Sequence, residues 1–231
     1  MVYDLYLESG PQGRRTWIFV PGLPGTSTVA PTLDGAPEAG RLAIAARLEF
    51  LRRHGENVPS GRIEVSVAEH VIERKVLGFA QHFFAPDAEP LTTREAERDL
   101  RWMEWSRDEL LAAAEALPGP LTLKPETGRS VAGILSHVAG AELAYVGATL
   151  KGMKGGGALA TAVESAGDEP WAALAAERAV VVARIGEMTP EDMARIVESG
   201  GRPKWSARRL FRRILEHEWE HALELRSRAT A

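Results

Sequence analysis

Apolar and polar positions follow two rhythms along this 231-residue chain, and the rhythm changes near residue 86. Before that point the pattern is short and mixed. "YDLYLES" (3–9) and "RTWIFVP" (15–21) read as two strands around a "GPQG" turn, because Gly and Pro punctuate hairpins. "GLPGTSTVA" turns and runs on as a third short strand. Residues 36–54 place Ala39, Leu42, Ala43, Ala46, Phe50 and Leu51 at helical spacing, and Gly55 supplies a stop. "RIEVSVAEHVIE" then alternates Ile63, Val65 and Val67 with polar neighbours, the period of a strand.

The segment "APDAEPLT" (85–92) is polar and proline-bearing, and it predicts a domain boundary. Beyond it the periodicity is helical over residues 93–117, 130–150, 169–188 and 206–228. The connections are "PGPLTLKPETGR", "KGMKGGG" and "TPEDMARIVESGGRPKW", the last with room for one extra helical turn. Four long helices without a strand between them predict a four-helix bundle. The expected fold class is therefore α+β: a small α/β domain over residues 1–86 and a bundle over residues 91–231.

Composition narrows the chemistry. Apolar residues make up 45% and charged residues 26%, an ordinary globular balance. A net charge of -4 gives no general attraction to nucleic acid or anionic membrane. The chain has no cysteine, which excludes disulfides, thiolate ligands and an internal Cys nucleophile, so thiol chemistry needs an external thiol. No basic-then-apolar leader opens the chain, and no apolar run is expected to reach the roughly 18 residues of a membrane span. The expected location is cytoplasmic.

Six histidines remain to be weighed. His54, His70 and His82 share no spacing and read as structural; His54 stands at a helix end, where an imidazole suits the dipole. His217 and His221 differ, because i and i+4 put both rings on one helix face, close enough to share a metal ion. Leu210, Ile214 and Leu225 lie on the same stripe, which turns that face into the bundle core. Two neutral imidazoles in a core are costly unless their lone pairs are used. His137, midway along the second helix, adds a third ligand from a facing element. Two ligands from one helix and one from another leave coordination positions open to water or substrate.

"HEWEH" (217–221) also matches H-E-x-x-H, the helix of zinc proteases in which two His hold the metal and Glu activates water. That mechanism needs a third protein ligand further along the chain. Only Glu224 follows within the last ten residues, on the same helix and poorly placed to close a tetrahedron. Glu218 is rotated about 100° from His217 on the helix. The spacing argues against a protease.

The pairing of "ILSHVAGAELAY" with "WSARRLFRRILEHEWEHALEL" resembles the DinB/YfiT-like metalloprotein superfamily. The likeness covers residues 91–231 and implies an up-up-down-down four-helix bundle with a divalent metal held by three His. It implies His137, His217 and His221 as those ligands. The superfamily includes transferases and isomerases that use a low-molecular-weight thiol, mycothiol or bacillithiol. Where the mycothiol branch carries Glu at the first position of the helix-four pair, this chain has His217. The N-terminal stretch "FVPGLPGTSTVAPTLDGAPEAGRLAIAARLEFLRRHG" is similar to the HicB-like fold, with "VAPTLDGAPEA" departing from the usual Gly-Asp-Thr. A scaffold or substrate-covering role follows better than an antitoxin one.

These features lead to a divalent-metal-dependent enzyme, a small-thiol-dependent transferase or a hydrolase, with a small-molecule substrate. The alternative is a non-catalytic metal-binding or protein-interaction module. Zinc or nickel suits three imidazoles. Glu142 and Glu220 are the expected carboxylates behind the imidazoles by helical position. "KWSARRLFRR" puts Arg208, Arg209, Arg212 and Arg213 in the first turns of the last helix, against its dipole. Two readings stand: a solvated face paired with acids, or an anion site at Arg213. Expected partners are the substrate and a second copy of the chain as a homodimer, with no membrane and no nucleic acid.

Overall fold

Alternation in the first two strands puts Leu5, Leu7 and Ile18 on one buried face, while Val67, which the sequence pattern grouped with the apolar positions of the last strand, is 49% exposed. In the computed structural model, residues 1–10, 14–72, 82–198 and 203–229 are described. The "GPQG" turn therefore lies mostly outside the described residues. Strands β1 (Val2–Ser9), β2 (Arg14–Phe19), β3 (Ser27–Thr32) and β4 (Glu64–Ile72) form one sheet in the order β3-β2-β1-β4. β1 pairs antiparallel with β2 and parallel with β4, and β2 pairs antiparallel with β3. Helix α1 (Ala36–Arg53) crosses between β3 and β4. Leu5, Leu7 and Ile18 are buried on the sheet, and Ile44, Leu48 and Leu51 on the helix. Gly40 sets how closely the two approach: a Cβ there would meet Leu5 Cδ1 at 2.9 Å. Gly55, at φ 82°, ends α1 in a conformation that costs other residues strain.

The chain divides into two compact units, Met1–Glu89 with Glu198–Lys204, and Pro90–Val197 with Trp205–Ala231. The second unit holds α2 (Thr93–Glu115), α3 (Val131–Thr149), α4 (Gly156–Ser165), α5 (Trp171–Gly186), the short α6 (Pro190–Ala194) and α7 (Ala207–Ala229). Local signals explain the starts. Thr92 and Glu95 form a capping box before α2, Ser130 accepts the Gly133 N–H before α3, and Thr189 and Asp192 box α6. Helix α4 is a correction to the sequence reading. Its first turn lies in the glycine run read as a connection; Gly155, at φ 75°, makes the turn that admits it. α7 packs against α2 and α3, and α3 also against α4 and α5. Leu110, Ala114, Ile134, Val138, Leu174 and Leu225 meet in one core cluster.

Helix α3 also departs from expectation, since its 19 residues are long and apolar enough by composition to cross a bilayer. The same helix carries Glu142, whose carboxylate is bound to Arg107 on α2 at 2.6 Å and Arg178 on α5 at 2.7 Å. That is the pattern of a core helix.

These contacts belong to a buried charge cluster that draws one or two residues from each long helix. Arg107 donates to Glu218 on α7 at 2.7 Å and to Glu177 on α5 at 3.3 Å as well as to Glu142. Arg178 also bridges to Glu218. Two guanidinium groups face three carboxyl groups, so one acid is left without a compensating cation. Burial, and then the neighbouring charge of Glu142, push the Glu177 carboxyl up to about 8, and Glu142 is raised for the same first reason. The third carboxyl keeps its proton at neutral pH.

Removing one partner of a buried pair strands the other, at a cost of about 3–5 kcal/mol. Arg107→Met should therefore lower unfolding free energy by that order in urea titrations; a loss below about 1 kcal/mol would contradict a tightly packed cluster. A raised folded pKa makes Glu177 stabilising below the ordinary value, and that contribution is lost as pH rises. Stability should fall between about pH 4.5 and 8 in the native chain. Glu177→Gln, neutral at every pH, should flatten that fall. Parallel pH profiles for the two proteins would refute a protonated Glu177.

Candidate metal centre

The periodicity that buries α7 aims His217 and His221 at the same neighbour, α3. His217 is buried, while His137 and His221 are half-buried. His217 Nε2 lies 3.1 Å from His137 Nε2 and 3.3 Å from His221 Nε2. All three side chains offer a ligating nitrogen within 4.8 Å of the others. Imidazoles sharing a tetrahedral ion with bonds of about 2.0–2.1 Å hold their nitrogens about 3.3 Å apart. The two short edges match that separation and the third lies within 4.8 Å, an arrangement able to hold one divalent ion.

The protonation chemistry agrees with ligation. Burial, followed by the fields of His221 and Arg213, pushes the His217 imidazole down to about 2. Burial, with Arg129 and His221, also lowers His137. Neutral rings keep their lone pairs. His221 is oriented from outside: Nδ1 lies 2.8 Å from Glu224 Oε2, so the ring donates there and turns Nε2 toward the other two histidines. Glu224 is itself held by Arg228, which also donates to the Arg129 carbonyl at 2.9 Å.

The carboxylate behind the imidazoles is thus Glu224, where sequence reasoning expected Glu142 and Glu220. Glu142 is committed to Arg107 and Arg178 in the buried cluster. Glu220 acts electrostatically on Arg213 and Glu216. The three-residue step from His221 to Glu224 was visible in the sequence as a pair on adjoining turns. Glu218, the acid of H-E-x-x-H, is 1% exposed and bound to Arg107 and Arg178, which removes it as a base for water.

The arginine run of α7 is neither a solvated face nor an open anion site. Arg208 pairs with Glu95 at 2.9 Å, and the Arg209 guanidinium lies 4.8 Å from the Trp205 ring. Arg212 and Arg213 both reach the buried Glu216 at 3.1 Å. The anion expected of Arg213 is internal. His54, His70 and His82 take structural places: His54 against Phe50, His70 on Ser9 at 2.7 Å, and His82 on Glu69 at 3.2 Å.

A family model described as the DinB superfamily matches residues 102–225. Comparison with curated proteins and with solved structures gives no match. The matched span contains all three histidines and Glu224.

The depressed imidazole gives a test that needs no ligand. In metal-free protein, the His217 ring resonances should stay at their neutral positions from pH 8 to pH 5, since protonation awaits values near 2. A titration midpoint for His217 near the ordinary 6.5 would mean the ring is hydrated and the cluster open.

Proposed function

The chain belongs to the DinB superfamily, and from that premise we propose that it is a divalent-metal-dependent enzyme whose ion is held by His137, His217 and His221. The observation that carries the reading is the convergence of three imidazoles from two helices, two of them, His217 and His137, held neutral by burial. Zinc is the first choice, because it tolerates three protein ligands and an open position; nickel is the second. When bound, the ion would lower the pKa of a coordinated water or thiol so that the nucleophile is available near neutral pH. The protein's own share is to keep the His137 and His217 rings neutral by burial, to orient His221 through Glu224, and to leave the His137 and His221 side reachable. That half-exposure supports an open catalytic site over a closed structural one.

The reaction is proposed as transfer to or from a low-molecular-weight thiol, or hydrolysis, of a small-molecule substrate. For the sheet unit we propose a HicB-like fold, supported by its β-β-β-α-β order. For the bundle we propose the up-up-down-down course of the superfamily.

Purified protein stripped with a chelator and reloaded should hold one zinc or nickel per chain. His137→Ala, His217→Ala and His221→Ala should each lose it, to similar extents. Full metal in His137→Ala alongside loss in His217→Ala would remove α3 from the site and end this reading. Glu224→Ala should weaken the metal about 10–100-fold in competition with a chelator, as carboxylates behind ligating imidazoles do. Unchanged affinity would leave Glu224 a surface acid.

A further inference from the structure

Beyond the three imidazoles, α3 and α7 carry a second group of side chains that the metal does not use. Tyr145 lies two turns after His137 on α3, and its ring centre is 6.1 Å from that of His217. Trp205, just before α7, stands against the other side of the phenol at 5.0 Å. Arg213, one turn before His217, has its guanidinium carbon 5.9 Å from the Tyr145 ring centre and donates a hydrogen bond to the phenol oxygen. His137 and Tyr145 are both half-buried, so neither ring is sealed from solvent.

The direction of the Arg213 bond decides what the phenol has left to offer. A guanidinium only donates, so the Tyr145 oxygen accepts from it and the phenol proton stays free to donate elsewhere. A fixed positive charge behind the oxygen strengthens that donor toward an anionic acceptor. Arg213 is also shared with the buried Glu216 at 3.1 Å, so it acts on an incoming group through Tyr145. Trp205 limits the swing of the ring, which makes the donor a fixed one.

We infer that Tyr145 is a specificity-determining residue beside the metal, donating its phenol proton to a carboxylate or carbonyl oxygen a few bonds from the substrate atom that the ion binds. The substrate class is then a small molecule with two polar ends: a thiol or oxygen head for the ion and an oxyanion acceptor for Tyr145. This rests on the three-histidine metal reading. It differs from an anion site at Arg213, because the recognising atom is the tyrosine oxygen.

The experiment uses the full chain loaded with cobalt(II), whose visible absorption reports coordination, and two thiol probes. 3-Mercaptopropionate carries the acceptor; propane-1-thiol replaces it with a methyl group. The native protein should bind the carboxylate probe about tenfold more tightly, the effect of one hydrogen bond to a charged group. Tyr145→Phe should bring that preference close to one while keeping cobalt content and thermal midpoint. A preference that persists in Tyr145→Phe with full cobalt overturns the role of Tyr145 and leaves the metal site standing. Failure of the native chain to hold cobalt overturns the metal reading, and this inference falls with it. If Tyr145→Phe unfolds, Arg213→Lys must lower the preference at full cobalt; an unchanged preference there also overturns the proposal.

Discussion

Arg107 is 6% exposed, and its guanidinium is divided among carboxylates from three other helices. A charge in that position is tolerated only while all of its partners are in place, since the desolvation of each ion costs several kcal/mol. The requirement acts as a register pin. An apolar core of Leu, Ile, Val and Ala would accept several rotations of α2, α3, α5 and α7 against one another. The cluster accepts far fewer, because a helix turned by one position withdraws its carboxylate and leaves Arg107 or Arg178 unpaired. Glu142 and Glu218 are the two members next to the histidines in sequence, five residues after His137 and one after His217. Fixing those two side chains fixes the faces on which His137 and His217 stand.

Placing the charge cluster beside the imidazoles also shapes their protonation. The positive fields that bear on His217 come from Arg213 and Arg129, and they act in the same direction as burial. The carboxylates that could have raised its pKa are saturated: Glu218 by Arg107 and Arg178, and Glu216 by Arg212 and Arg213. A histidine one residue from one acid and next to another in sequence is thereby kept as a neutral base. Arg212 and Arg213, unfavourable to the helix dipole, are explained by their pairing with Glu216. They neutralise a buried carboxylate whose charge would otherwise favour protonation of His217.

Much of this was legible in the sequence because it follows from periodicity. The i, i+4 spacing of His217 and His221 can only face one way, and the stripe of Leu210, Ile214 and Leu225 states which way that is. The strands and long helices were legible for the same reason. Helix α4 was not, since glycines carry a poor helix propensity and the start depends on a left-handed Gly155 that no pattern announces. The misreading of Glu142 has a different cause. Helical position put it near His137, but Arg107 and Arg178 come from elements 35 and 36 residues away in the chain, on either side. A one-helix argument cannot see a partner that arrives from another helix. Arg213 was misread for a kindred reason, as its acid lies on its own helix but inward.

The H-E-x-x-H string shows how far a motif depends on what surrounds it. The same five residues would make a hydrolytic site if Glu218 faced open water beside the ion. Here Glu218 has two guanidinium partners and almost no exposure, so the string divides its labour differently. Its histidines face α3, while its glutamate turns into the centre of the helices and helps hold them. Rotation of about 100° per residue makes that division unavoidable on a helix that has neighbours on several sides. The motif thus serves two structures at once, a histidine pair facing α3 and a packing charge on the next face. On the proposed reading, chemistry at this site draws on groups outside the motif: Glu224, which orients His221, and the partly exposed side of α3 at His137.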